Sequence, residues 1–353
     1  MTISEPEIRE INLFDSEERA DWQSFLTDVG IDNFSDSELD PLDGTIGLFK
    51  DDHLVATGSY AGNILKYIGV CHKDPDSDGY FNKVVSTLLT TLAQRGIFHT
   101  LVFTKPKYSK SFQFIGFSEL AKSDDVAFLE TGDQSITSYL SRFPKFSDDE
   151  NIGAIVMNAN PFTKGHRYLI EQAAQQCSGV YVLIVSTDKS LFKTKERFEL
   201  VQAGVSDLEN VKVVYAGDYA VSAATFPAYF LNSSNDKIVS QTTIDALVFR
   251  NFIAKELKVK TRFLGSEPES RTTNIYNEVL TKTLPPQVAV KVIDRVQAES
   301  GKIISARTVR QAIAADKLAE IKTLVPPTTY QFIEQNQETL QERIERGMKI
   351  NGN

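Results

Sequence analysis

The sequence predicts an α/β protein in two parts: a mixed α+β region, then a parallel sheet with helices on both sides. Three observations carry this expectation. In the second part, five short apolar runs alternate with helical stretches, the pattern of strands joined by right-handed crossovers. In the first part, strands follow one another with little helix between them. The length of 353 residues also exceeds one ordinary domain of roughly 150 residues. The parts are set at residues 1–131 and 151–353, with a linker over 132–150. Thr131-Gly132-Asp133 marks a turn, and Ser147-Asp148-Asp149-Glu150 is a polar run.

Composition narrows the class. Hydrophobic residues make up 41%, enough for ordinary cores, and the net charge of −9 argues against a general nucleic-acid binder, which needs a basic surface. Two cysteines, Cys71 and Cys177, are too few for a disulfide framework and fit a reducing compartment. The first residues lack the basic start and apolar core of a signal peptide. The longest clean apolar run, Val180 to Val185, is far too short to span a membrane. A cytoplasmic protein with no membrane contact is the expectation.

In the first part, the spacing of Trp22, Phe25 and Leu26 predicts a helix over 17–29. Strands are expected at 45–49, 54–60, 64–71, 100–104 and 126–130, with a helix over 81–95 and a short apolar element at 112–117. Ile136 to Phe143 reads as a short helix ending before Pro144. In the second part, strands are expected at 152–157, 180–186, 211–215, 261–265 and 288–293. Helices are expected after Thr163, over 195–206, 244–257 and 273–284, after Ser305, and over 327–346. Ligands of such sheets lie beyond the carboxyl ends of the strands, where Asn158, Ser186 to Lys189, Gly217-Asp218, Gly265 to Glu267 and Arg295 fall.

Two helix starts carry the chemistry. After the strand ending at Met157 come a turn, Asn158-Ala159-Asn160-Pro161, and then Phe162-Thr163-Lys164-Gly165-His166. Thr163 and His166 are three apart and share a face of the first turn, whose free N–H groups carry partial positive charge. A hydroxyl, an imidazole and a helix N-terminus together make a phosphate site. His166 is the one histidine beyond residue 100. The second start is Ile303-Ile304-Ser305-Ala306-Arg307-Thr308-Val309-Arg310, with Ser305 as N-cap. No metal-ligand spacing is present, and Cys177 has no partner at catalytic spacing.

The first of these segments resembles the T/H-x-G-H signature of the nucleotidyltransferase superfamily, with Thr163 where His is commoner. The second resembles its I-S-S-T-x-x-R signature. The wording Met157-Asn158-Ala159-Asn160-Pro161-Phe162-Thr163, Phe263 to Pro268 with Asn274, Tyr276 and Asn277, and Ala224 to Leu231 is similar to the citrate lyase ligases. That resemblance covers 152 to about 332. It implies a Rossmann-like domain that uses ATP with Mg2+ to activate acetate as acetyl-AMP. The acetyl group then passes to the CoA-like thiol arm of the citrate lyase acyl-carrier subunit. It implies His166, Thr163 and Arg310 as the catalytic groups: His166 on the α-phosphate, Thr163 on the β or γ phosphate, and Arg310 with Ser305 on pyrophosphate. Asn158, Phe162, Gly265, Glu267, Ile304, Ser305 and Thr308 are the expected nucleotide contacts. Lys193 and Arg197, in a basic cluster with Lys189 and Lys195, read equally as an anion or partner contact and as a solvated helix start.

The first part resembles the N-acetyltransferase (GNAT) fold, including Ile115-Gly116-Phe117. At its pyrophosphate loop, Gly79 is kept, but Asp76 stands where Arg or Gln is usual and Phe81 where a small residue is usual. Asp74, Asp76 and Asp78 would repel a pyrophosphate, so a role in packing or in holding a partner is expected over acetyl transfer. An adenylyltransferase acting on a pantetheine phosphate shares the sheet and both phosphate elements, and an acyltransferase or protein-binding module led by the first part is a third reading.

Overall fold

The structure is a computed structural model that describes residues 5–351 except 72–76, 148–150, 187–189, 222–225, 227–228, 230, 232–233, 267–270 and 296–303. By internal contacts the chain divides into two units. One comprises residues 1–138 with 225–244, and the other 139–224 with 245–353. Residues 225–244, counted with the second part on sequence alone, therefore pack with the first. Tyr229 shows the reason: it stacks on Tyr67 at 4.2 Å and gives its hydroxyl oxygen to the Tyr67 N–H at 3.1 Å.

The first unit contains β1 (Glu7–Glu10), α1 (Ser16–Asp28), α2 (Asp36–Leu39), β2 (Gly44–Lys50), β3 (His53–Ala61), β4 (Ile64–Val70), α3 (Ser77–Gln94), β5 (His99–Thr104), α4 (Ser109–Phe114), β6 (Ser118–Lys122) and β7 (Ala127–Gly132). Its seven strands run in the order β1-β2-β3-β4-β5-β7-β6. All neighbours are antiparallel except β4 and β5, which α3 joins by a crossover. Those two strands pair only at Ile64 with Leu101 and Leu65 with Val102. Leu48, Val84, Leu88, Val102, Phe112 and Leu129 form the core under α3. On the other side Trp22, buried beside Leu26 and Tyr67, donates its indole N–H to Thr57 Oγ1 at 2.9 Å. This is the acetyltransferase-like arrangement. The loop carrying Asp74 and Asp76 lies outside the described residues.

Sequence patterning misses β1 and β6 because both are polar edge strands, with little apolar alternation to read. The stretch 112–117 mostly closes the short helix α4 and turns at Gly116, whose φ is +95°.

The second unit begins with α5 (Ile136–Ser141), which straddles the division, and continues with β8 (Ile152–Met157), α6 (Lys164–Ala174), β9 (Gly179–Ile184), α7 (Thr194–Gly204) and β10 (Val211–Tyr215). Helix α8 (Ser234–Val248) runs through a π turn, Phe249–Ile253, into α9 (Ala254–Glu256). Then come β11 (Val259–Gly265), α10 (Arg271–Thr283), β12 (Ala289–Ile293), α11 (Ala306–Ala314), α12 (Pro327–Gln335) and α13 (Gln337–Glu345). The five strands are parallel throughout, in the order β10-β9-β8-β11-β12. The strand order reverses between β8 and β11, so a crevice opens there beyond the carboxyl ends. Strand β9 is buried at all six positions, as a strand covered on both faces must be. Ile155, Val182, Phe192, Val201, Phe263 and Val309 pack with Ile333 and Leu340 of the last two helices. The expected single helix over 327–346 is broken at Asn336, whose backbone leaves helical geometry at φ −117° and ψ 18°.

Candidate active site

Thr163 ends the turn after β8 and caps α6. The backbone N–H of Thr163 donates to His166 Nδ1 at 3.1 Å, and Thr163 Oγ1 lies 2.9 Å from the same nitrogen. A backbone N–H can only donate, so Nδ1 is the unprotonated nitrogen and the ring proton sits on Nε2. Burial, with Arg295 and Arg310 nearby, pushes the His166 pKa down to about 4, so the imidazole is neutral near pH 7. Thr163 was expected to hydrogen-bond a phosphate directly. Within the protein its hydroxyl lies against the imidazole at 2.9 Å and accepts the His166 N–H at 3.4 Å. The Lys164 N–H bonds the Leu324 carbonyl at 3.0 Å, which leaves the Gly165 N–H, on the cleft wall, as the open donor of this helix start among the described residues.

Ser305 caps α11 and accepts the Arg307 N–H at 3.2 Å. Arg310, 1% exposed, donates from Nε to the Ile350 carbonyl at 2.9 Å and from Nη1 to the Asn160 carbonyl. Desolvation, with Arg307 close by, lowers its pKa to about 10, and it stays charged near neutrality. It thus ties the second helix start to the turn before the first. Both starts open on one cleft of about 270 Å³ at the β8/β11 switch point. Asn158, Thr163, His166, Gly265, Ile304, Ser305 and Arg310 all line it. Three arginines, at 295, 307 and 310, face it against one carboxylate, Asp294, among the described lining residues. A neutral donor, helix N-termini and excess positive charge suit a triphosphate.

Four expected residues stand elsewhere. Phe162 is fully buried with its ring against Gly204, and it backs the His166 ring at 6.0 Å rather than lining the cleft. Thr308 is exposed and off the cleft, whereas Arg307 lines it. Counting back three from Arg310 puts Arg307 at the T position of the I-S-S-T-x-x-R pattern, and that register was the available signal. Arg197 is 0% exposed, so it is no partner contact. It donates to the carbonyls of Phe192, Asn158 and Val185 at 3.0, 2.8 and 2.9 Å, bracing the turn that carries Asn158. Lys193 is exposed beside it but does not line the cleft. Glu267 lies outside the described residues.

The second unit is thus a Rossmann-like domain of the nucleotidyltransferase kind. Residues 152–333 match the model of the citrate lyase ligase C-terminal domain. The [citrate [pro-3S]-lyase] ligase of Escherichia coli K12 is 35% identical over 304 residues, covering 83% of this chain and 86% of that protein. The one from Haemophilus influenzae is 36% identical, covering 82% and 88%. The chain belongs to the citrate lyase ligase family, and is an enzyme. Among solved structures, a putative nicotinate-nucleotide adenylyltransferase from Vibrio parahaemolyticus aligns with 55% of this chain and 96% of its own, at 15% identity and a TM-score of 0.34. A probable acetyltransferase from Staphylococcus epidermidis aligns with 37% of this chain and 100% of its own, at 16% identity and a TM-score of 0.31.

Proposed function

We propose that this enzyme activates citrate lyase: ATP, acetate and the thiol form of the lyase give AMP, diphosphate and the acetyl form. An acetate oxygen attacks the α-phosphorus, and the bond to the bridging oxygen of pyrophosphate breaks. The thiol sulfur of the acyl-carrier arm then attacks the acetyl carbonyl, AMP leaves, and the thiol proton is released. Membership of the ligase family carries this reading. The cleft supports the first step.

In that step the enzyme's own groups position charge rather than form bonds. Nε2–H of neutral His166 is the donor to the α-phosphate, and the hold on Nδ1 supports that tautomer. Arg310, Ser305 and the α11 start hold the leaving pyrophosphate, with the Gly165 N–H as a further donor. Asn158, Gly265 and Ile304 line the nucleotide. Mg2+ bound to the triphosphate would neutralise phosphate charge, and Asp294, which lines the cleft, would hold it through water. Lys193, exposed beside α7, is retained as a contact for the lyase. The compartment is the cytoplasm, as two unpaired cysteines suggest.

The test mixes enzyme, ATP, acetate and deacetylated lyase and follows AMP and recovered lyase activity. Acetate-dependent exchange of pyrophosphate into ATP isolates the first half. Exchange indifferent to acetate would point to an adenylyltransferase instead.

A further inference from the structure

One wall of the cleft has no role so far. Thr273, Tyr276 and Asn277 of α10 are three and four apart, so they share a helix face, and all three line the cleft. Leu280, one turn further on, is fully buried and fixes that face.

Tyr276 is clamped by its hydroxyl. It accepts from Arg262 Nη2 at 3.3 Å and donates to Asp245 Oδ2 at 3.0 Å. The other oxygen of Asp245 accepts the Val221 N–H at 3.1 Å, and the Arg262 guanidinium lies 4.2 Å from the Phe249 ring centre. With its proton engaged, Tyr276 offers the cleft an aromatic surface. Asn277 Nδ2 donates to the Gly265 carbonyl at 3.2 Å. Only the NH2 side of an amide can face a carbonyl, so the orientation is set. Asn277 Oδ1 is left as an acceptor without a partner among the described residues. Gly265 adds no side chain, and a Cβ there would meet nothing nearer than Leu169 at 4.0 Å.

We propose that α10 reads the base of the nucleotide: Asn277 Oδ1 accepts from an exocyclic amine while the Tyr276 ring lies against the base. Asp245 and Arg262 are positioning residues that act through Tyr276. This rests on the nucleotide reading above and adds its selectivity. An acceptor favours an amine and opposes a carbonyl, because two facing acceptors each lose a partner on leaving water. Adenine carries an amine at position 6, where hypoxanthine carries a carbonyl.

The experiment compares ATP with ITP, in kcat/KM and in direct equilibrium binding, for wild type, Asn277→Leu and Tyr276→Phe, with melting curves for each. Wild type should prefer ATP by roughly tenfold or more. Asn277→Leu should bring the ratio close to one by raising KM for ATP while kcat holds. Tyr276→Phe keeps the ring and loses the clamp, so KM should rise for both nucleotides with their ratio kept. Should the Leu variant fail to fold, Asn277→Ala, with the best helix former, makes the same comparison. An ATP:ITP ratio unchanged in a folded Asn277 variant would overturn the inference, as would a ratio that moves in Tyr276→Phe. If wild type binds ATP over ITP but never forms AMP with acetate, the reaction reading fails and this one stands.

Discussion

The backbone N–H of Thr163 donates to His166 Nδ1 at 3.1 Å, and that one bond puts the ring proton on Nε2. It leaves Nε2–H as the outward donor, without a carboxylate partner among the described residues. His166→Ala should therefore lower kcat/KM for ATP by roughly a hundredfold to a thousandfold, the usual effect of removing one such donor. Its circular dichroism and melting point should stay close to wild type. Near-normal acetylation by the variant would remove His166 from the chemistry.

Burial of the same imidazole, with Arg295 and Arg310 nearby, makes a pH prediction. The folded pKa of about 4 lies below the ordinary 6.5, so the unfolded chain binds the proton first as pH falls. This residue's contribution to stability is whole above pH 6.5 and is lost between 6.5 and about 4. An NMR titration of His166 should find its midpoint near 4, and kcat/KM should show no limb at 6.5 from this group. A midpoint of 6 or above would contradict the neutral donor.

Thr163 is an N-cap and an orienter at once. Thr163→Ala should cost about 0.5–2 kcal/mol in urea denaturation and also reduce kcat. Thr163→Ser keeps the oxygen and should restore most of both. If the Ala variant lost stability alone, Thr163 would be a cap and nothing more.

Arg197 separates bracing from binding. Removing a buried arginine that serves three carbonyls leaves them unpaired, so Arg197→Ala should cost at least about 1–3 kcal/mol of stability. Exposed Lys193→Ala should leave the melting point unchanged and raise KM for the lyase. A fully stable Arg197 variant would refute the bracing role.

Gly204 and Phe162 form a packed pair. A Cβ at 204 would fall 2.5 Å from the Phe162 ring, which is fully buried and cannot swing away. Gly204→Ala should destabilise by about 1–3 kcal/mol and, because Phe162 backs the His166 ring, lower activity as well. Unchanged stability would mean that the ring relocates freely.

Much of the fold was legible because its signals are local. The five strands of the second sheet are apolar runs, and both helix starts carry oxygen caps ahead of an amphipathic face. Edge strands β1 and β6 were not legible, since one solvated face and polar residues erase the alternation. Residues 234–243 were missed as the start of α8 because they are polar and lack a clear apolar stripe.

The sequence by itself determined the two capped helix starts, His166 and Arg310 within them, and the family. Each of these is written in a few consecutive residues. Only the tertiary structure decided which neighbours face the cleft. Phe162 and Arg197 turn inward, Arg307 takes the place expected of Thr308, and Arg295, Tyr276 and Asn277 arrive from other strands and helices. Burial and hydrogen-bond polarity are relations between distant parts of the chain, so local pattern does not fix them; Arg307, marked by its motif register, and Arg295, marked by its place after a strand, are the exceptions.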